Sequence, residues 1–380
     1  MDVATLDFET YYDREYSLSK IPTEEYIRSP LFETIGVSIK INDGPTMWYP
    51  QPKVAEGLST VDWGSTFILC QNTAFDGAIL NWKYGIKPFG YLDTLCMSRA
   101  LYPHEKSHSL KAQAKRMEVG VKGDEVINAI GKRYRDFSDD ELSRYGEYCI
   151  NDVELTYDLF KILISSFKKQ ELKLIDLTLR MFTRPLLQLD LPLLEQHLIE
   201  VVERKEALIA DANADRETLL SNEKFATRLM QLGVEPPMKI SPTTNKWTLA
   251  LAKSDPGFKA LAEHDDVRVQ ALVAARLGTK STLEETRTER FVSIAKRGSL
   301  PVPLRYYAAH TGRWGGDDKL NLQNLPRKSK LKSAIVPPEG YVLIDADSSQ
   351  IEARMLAWLA GQADLVQAFE EGKDVYKIMA

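Results

Sequence analysis

The 380-residue sequence holds only three cysteines, Cys70, Cys96 and Cys149, widely spaced and without a Cys-x-x-Cys pair. That scarcity excludes a disulfide framework and a cysteine-rich zinc site, and buried free thiols are the expectation. No apolar run approaches the roughly 18 residues needed to cross a bilayer, so no membrane partner is expected. The opening residues, Met1-Asp2-Val3-Ala4-Thr5-Leu6, place no basic patch before an apolar stretch, so no signal peptide is read there and a cytoplasmic protein is expected. Repeats and low-complexity tracts are lacking as well. Nor is there a surplus of positive charge: 49 Lys and Arg against 54 Asp and Glu give a formal net charge of −5. Proteins that coat nucleic acid are normally basic, and this balance argues against one. The mean hides an asymmetry. Between Lys296 and Lys332, nine Lys and Arg stand against Asp317 and Asp318, a local charge of +7. Such a stretch is either a solvated face or a means of neutralising several phosphates.

What is present is the composition of a folded soluble protein, 44% hydrophobic and 27% charged, long enough for two or three domains. Asp2–Phe8 alternates, and Thr34–Ile41 and Thr66–Cys70 are short β-rich runs. Asn72–Trp82 reads as a turn entering a helix. Ser138 and Glu141 have capping-box spacing and predict a helix running through Tyr148 and Asp152 towards Leu163. Strands first, with helices around them, predict an α/β domain over residues 1–165: a mixed sheet with flanking helices. Residues 166–298 are dominated by helical spacing, broken by Pro185, Pro192 and Glu235-Pro236-Pro237. Over residues 299–380 the chain turns extended; Tyr341–Ile344 predicts a short buried strand and Glu352–Leu359 a helix, an α+β arrangement.

Asp7 and Glu9 lie two residues apart, so on a strand both point to one face. Two like charges side by side are unfavourable unless a cation neutralises them. Asp76 falls at a strand-to-helix turn in Asn72-Thr73-Ala74-Phe75-Asp76, and Tyr148 and Asp152 are four apart on one helical face. The ordered set Asp-x-Glu, Asn-x-x-Phe-Asp and Tyr-x-x-x-Asp resembles the DEDDy exonuclease superfamily. That resemblance implies an RNase H-like fold in which Asp7, Glu9, Asp76 and Asp152 hold two Mg²⁺ or Mn²⁺ ions, and Tyr148 positions the attacking water. Two ions about 4 Å apart can serve both the attacking and the leaving oxygen, and hard cations prefer carboxylates. A phenol of ordinary acidity, near pKa 10, would orient the water rather than deprotonate it. Asn72 and Phe75 are expected to frame the substrate, with Phe75 equally suited to a core. Asp93 reads as a helix cap in preference to a metal ligand, and His108 as a cap or surface residue.

The last third carries a second resemblance. His310-Thr311-Gly312-Arg313-Trp314, then Asn321-Leu322-Gln323-Asn324-Leu325-Pro326, then Asp347-Ser348-Ser349-Gln350-Ile351-Glu352-Ala353-Arg354 are similar, in order, to motifs of family A DNA polymerases. The resemblance implies a helical thumb over 166–298 and an incomplete palm over 299–380. It implies that Asp347, helped by the Ser348 carbonyl, binds the polymerase metals. Arg313, Gln323 and Asn324 would meet the primer end, where minor-groove acceptors report shape rather than sequence. Gln350 belongs to the nucleotide-proximal motif, and Glu352 would exclude ribonucleotides. Ser348 replaces the Tyr usual in that motif, Asp345 adds a neighbouring acid, and Trp314-Gly315-Gly316 has a phage-like look.

The fingers helix and the His-Asp-Glu motif, which carries the second polymerase aspartate in the family, are not among these 380 residues. One aspartate cannot hold a two-metal clamp. The expectation is therefore a proofreading exonuclease joined to the amino-terminal part of a polymerase, taking a deoxynucleotide only when a second polypeptide supplies the rest. A split gene, an intein junction and a shortened chain remain alternatives, in a host cytoplasm if the source is a phage. A stand-alone nuclease of the RNase D type would explain residues 1–165 alone. A non-catalytic DNA-binding or scaffold subunit is the reading from another class. The implied DNA partners are single-stranded 3′ ends and primer-template duplex.

Overall fold

The computed structural model describes residues 2–123, 129–375 and 377. Val3–Thr10 (β1) is the middle strand of a five-stranded sheet. Thr34–Ile41 (β2), Thr46–Pro50 (β3), Phe67–Cys70 (β4) and Gly90–Asp93 (β5) complete it, in the order β3-β2-β1-β4-β5. β1 pairs antiparallel with β2 and parallel with β4, so the sheet is mixed, as the order of elements predicts. Ala4, Leu6 and Phe8 of β1 enter the main core with Ile68, Ile79, Leu80 and Tyr91. Their alternation with Asp7 and Glu9 sends the two acids to the opposite face.

Four helices matter for that sheet: Thr23–Arg28 (α1), Thr73–Trp82 (α2), Asp139–Ile164 (α3) and Lys169–Thr183 (α4). α3 starts at the expected capping box, Ser138 accepting from the Glu141 N–H while Glu141 accepts from the Ser138 N–H. Leu155, Leu159 and Leu163 anchor it in the core, each burial being worth about 1.5–3 kcal/mol. Its amino-terminal half approaches the sheet through Trp48. A Cβ on Gly36, opposite Glu9 in β2, would lie 2.2 Å from the Trp48 ring, and one on Gly146 of α3 would lie 2.6 Å from it. Larger residues at either position would push α3 away from the acidic face.

The sheet's core does not end at residue 165. Ile175, Leu179 and Phe182 of α4 belong to it, as does Tyr306. Beyond α4, Leu191–Asp211 (α5), Val267–Lys280 (α6) and Leu283–Arg297 (α7) dominate a largely helical stretch, interrupted by a two-stranded ladder of Met238–Ile240 with Trp247–Leu249. Leu194, Phe291, Ile294, Leu300, Leu320 and Leu331 form a separate core there. The chain returns at Ile335–Val336 to pair with Gln188–Leu189, which closes this region. α1 and α7 are joined through Glu24, fully buried and paired with Arg28, Arg290 and Arg297 at 3.3, 3.1 and 2.7 Å. Much of the basic stretch is spent on such pairs: Lys296 with Glu195, Arg305 with Asp317 and Lys330 with Glu200.

A second compact unit comprises residues 337–380. Within it, Ile351–Leu359 (α8) and Ala363–Glu370 (α9) pack through Ala357, Ala368 and Phe369. The strand expected at Tyr341–Ile344 does not form. Those four residues belong to no strand and are 55–81% exposed. The apolar run is neither a strand nor buried, because no described strand in this unit offers its backbone a partner. Among the described residues, no helix is long and apolar enough to cross a membrane.

Candidate metal and nuclease centre

Two neighbouring elements bring the amino-terminal acids together. Asp7 and Glu9 project from β1 towards α3, where Tyr145, Tyr148, Cys149 and Asp152 share a face at intervals of three and four residues. The Tyr145 hydroxyl donates to Glu9 Oε2 at 2.6 Å, and the Cys149 thiol donates to the Asp7 carbonyl at 3.3 Å. Tyr148 stacks on Tyr145 with ring centroids 6.2 Å apart and donates to the Asp152 carboxylate. Asp76, in the first turn of α2, accepts the Phe8 N–H at 3.0 Å, the amide between the two β1 acids. The ladder with β2 shifts register between Glu9 and Thr10, an irregularity of the kind that re-aims side chains beside functional sites.

The donor atoms of Asp7, Glu9 and Cys149 lie within 4.8 Å of one another. Asp76 and Asp152 stand outside that tight group but act on it electrically. Burial, and then the neighbouring Asp152 charge, raises the Asp7 carboxyl to about 7. Burial, and then Asp7, raises Glu9 to about 8. Asp76 is pushed well above the carboxylate range by burial and by Asp7, and Asp152 upward by burial. These are acids crowded in a largely buried cleft, each making the next harder to ionise. Burial also holds Tyr148 and Tyr145 far above the ordinary phenol range, so both stay protonated. The Cys149 thiol is likewise raised by burial, which keeps it a neutral donor instead of a thiolate ligand.

The site has two features that sequence reasoning missed. Tyr145 could have been found, since it lies three residues before Tyr148 on the same helical face. Lys122 could not, because nothing local marks it. Its ammonium donates to Asp152 Oδ2 and lies 4.7 Å from the Tyr148 ring centroid. Asp152 Oδ1 is buried and has no hydrogen-bond partner. An orphaned carboxylate oxygen facing other acids is costly unless a cation completes it. The donors are carboxylates, which suits a hard divalent ion such as Mg²⁺ or Mn²⁺. On both grounds the residues present fit such ions.

The remaining candidates fall elsewhere. Asn72 occupies the left-handed region at φ 77° and opens α2 without a side-chain cap. Phe75 packs against the core, with its ring 6.1 Å from Tyr26. Asp93 caps the helix Thr94–Leu101, accepting from the Cys96 N–H at 3.0 Å, and also takes the Thr73 N–H. His108 pairs with the Ser98 hydroxyl at 2.9 Å. Arg313 is exposed on the first unit; the Gln323 amide reaches the carbonyl of the next residue, Trp314, at 3.5 Å, and the Asn324 carbonyl accepts from Arg287 at 3.4 Å. In the second unit, Asp347 and Ser348 are exposed. Gln350, at φ 54°, precedes α8, and Glu352 lies in its first turn. Among the described residues Asp347 joins no group of acids able to hold an ion.

Comparison with known proteins agrees with the motifs of the last third. The fold also has a solved likeness. It is similar to the POL domain of Pol1 from M. smegmatis, solved with DNA primer-template and dNTP, at a TM-score of 0.62 and 18% identity, over 98% of this chain and 61% of that one. Residues 192–380 match the family model described as DNA polymerase family A, which makes them a family A polymerase region. DNA polymerase I of Synechocystis sp. is 28% identical over 340 residues, 82% of this chain and 32% of that protein. DNA polymerase I of Rhizobium leguminosarum is 25% identical over 83% of this chain and 32% of its own length. The thermostable DNA polymerase I of Thermus thermophilus is 40% identical over 85 residues, 21% of this chain and 10% of that protein. The chain thus spans about a third of the relatives it matches along most of its length.

Proposed function

We propose that residues 1–165 form a DEDDy-type 3′→5′ exonuclease that proofreads for the family A polymerase region behind it. The observation that carries this reading is the convergence of Asp7, Glu9, Asp76 and Asp152 on one largely buried cleft where Lys122 is the one basic partner among the described residues, with Asp152 Oδ1 left without a donor. A divalent pair bound there would activate water and stabilise the leaving oxyanion of a phosphodiester. The chain's own part is positional. Asp7 and Glu9 are fixed by strand geometry, Asp76 by the Phe8 amide, and Glu9 additionally by Tyr145. Tyr148, protonated and held by stacking, can orient a water towards the scissile phosphate but cannot accept its proton. Asn72 and Phe75 are assigned to the rim where the terminal nucleotide enters.

For the polymerase region we assign Asp347 and the Ser348 carbonyl to metal binding, and Arg313, Gln323, Asn324, Gln350 and Glu352 to primer and nucleotide. The bond from the Gln323 amide to the Trp314 carbonyl, one residue from Arg313, supports this for the primer contacts. DNA synthesis needs the His-Asp-Glu motif and the fingers, so it is assigned only together with a further stretch of polypeptide that supplies them. The Trp314-Gly315-Gly316 run supports a phage-like subtype, acting in the cytoplasm of its host.

The test is polarity. With Mg²⁺ or Mn²⁺, a 5′-labelled single strand should shorten stepwise from its 3′ end, and a 3′-labelled strand should release its label at once. Endonucleolytic cutting, or no cutting with all four acids intact, would overturn the assignment, the latter favouring a scaffold role.

A further inference from the structure

The four acids share a cleft with one basic side chain among the described residues that acts on three of them. Lys122 weakens the shift of Asp7, Glu9 and Asp152 towards neutrality. It belongs to neither β1 nor α3; it reaches in from the irregular stretch before residue 124, next to Gly123, whose Cβ position lies 3.2 Å from the Tyr148 ring. Its ammonium takes Asp152 Oδ2 and leaves Oδ1 bare. The Lys122 side chain keeps 24% of its surface exposed while that of Asp152 keeps 6%, so the lysine has a path to solvent that the acid lacks. A lysine ammonium is a compact charge on a flexible stem, able to withdraw without disturbing the backbone. An ion that used both oxygens of Asp152 would meet this charge directly.

We propose that Lys122 is a tethered counter-ion that competes with divalent metal for Asp152, neutralising the cleft when metal is scarce and withdrawing as metal enters. The proposal rests on reading the four acids as a metal centre. It differs from a purely structural salt bridge in one respect. Removing a structural bridge loosens a metal site, whereas removing a competitor tightens it.

Mn²⁺ binding to the full chain, followed by the electron paramagnetic resonance signal of free Mn²⁺, separates the two. Lys122→Met keeps the stem and deletes the charge. We expect it to lower the Mn²⁺ dissociation constant by about tenfold, as release of an opposing partly buried charge pair should. Its melting temperature should drop in EDTA and match wild type in saturating Mn²⁺. Lys122→Arg, which keeps the charge and the fold should Lys122→Met lose it, should bind Mn²⁺ no tighter than wild type. Unchanged or weaker binding by Lys122→Met, or tighter binding by Lys122→Arg, overturns the proposal. If wild type binds no Mn²⁺, or binds it equally after Asp7→Asn with Glu9→Gln, the metal-site reading itself falls, and the proposal with it.

Discussion

Acidifying the solution from pH 8 to pH 6 should strip divalent metal from the amino-terminal cleft far more steeply than it would from free carboxylates. Metal binds ionised oxygens, so every proton held by the free site must leave first. With burial and mutual repulsion raising Asp7 to about 7 and Glu9 to about 8, the metal-free pair holds most of its protons at pH 6 and gives them up towards alkaline pH. With more than one proton to be released at the acid end, affinity should rise at least about tenfold from pH 6 to 7 and less steeply above. Asp76, raised in the same direction, steepens the acid side. The same shifts fix the sign for stability. A carboxyl whose folded-state value lies above its unfolded one makes the fold bind extra protons, so the metal-free chain loses stability as pH rises from about 4 to 8. Added metal should restore it, most at the alkaline end. Titration calorimetry with Mg²⁺ or Mn²⁺ in two buffers of different ionisation enthalpy counts the protons directly. Release of fewer than about half a proton at pH 6.5, or an affinity flat between pH 6 and 8, would refute the reasoning from burial and like-charge crowding.

Other consequences follow from single contacts. Tyr145→Phe removes the hydroxyl that favours ionised Glu9, so the acid limb of the nuclease pH–rate profile should move up by about one unit, as expected for one hydrogen bond to a charge. Tyr148→Phe keeps the ring stack but loses the orienting hydroxyl; kcat should fall by about 10- to 100-fold with Mn²⁺ affinity within a few-fold of wild type, measured by single-turnover digestion alongside metal titration. Glu24→Ala leaves three guanidinium groups facing a buried gap between α1 and α7 and should cost about 3–5 kcal/mol in denaturant unfolding, with Glu24→Gln losing less.

The amino-terminal region was legible because its signals are local. Alternation in Asp2–Phe8, the β-rich Thr34–Ile41 run and the Ser138–Glu141 capping box each depend on near neighbours, and β1, β2 and α3 appear where those signals point. The ordered acids were legible for the same reason: strand and helix periodicity fix which face each presents. Lys122 was not, since its role depends on an irregular stretch meeting α3 thirty residues on. The role of Gly36 and Gly146 was equally hidden, because only the packed Trp48 ring makes a Cβ intolerable there. The Tyr341–Ile344 strand failed for the opposite reason. Its propensity is real, but a strand is completed by a neighbour, and propensity says nothing about whether one is present. The basic stretch from Lys296 also looked freer in sequence than it is, as Glu195, Glu24, Asp317 and Glu200 take up four of its charges.

The proposed hydrolytic metal centre joins the acids on β1 to Asp76 and Asp152. It is tested most directly by following a 5′-labelled single strand with Mg²⁺, using wild type and the Asp7→Ala, Glu9→Ala double variant prepared side by side. Wild type should give a 3′-shortening ladder that EDTA abolishes, and the variant no ladder although its thermal unfolding remains cooperative. A variant that trims as fast as wild type would contradict the proposal.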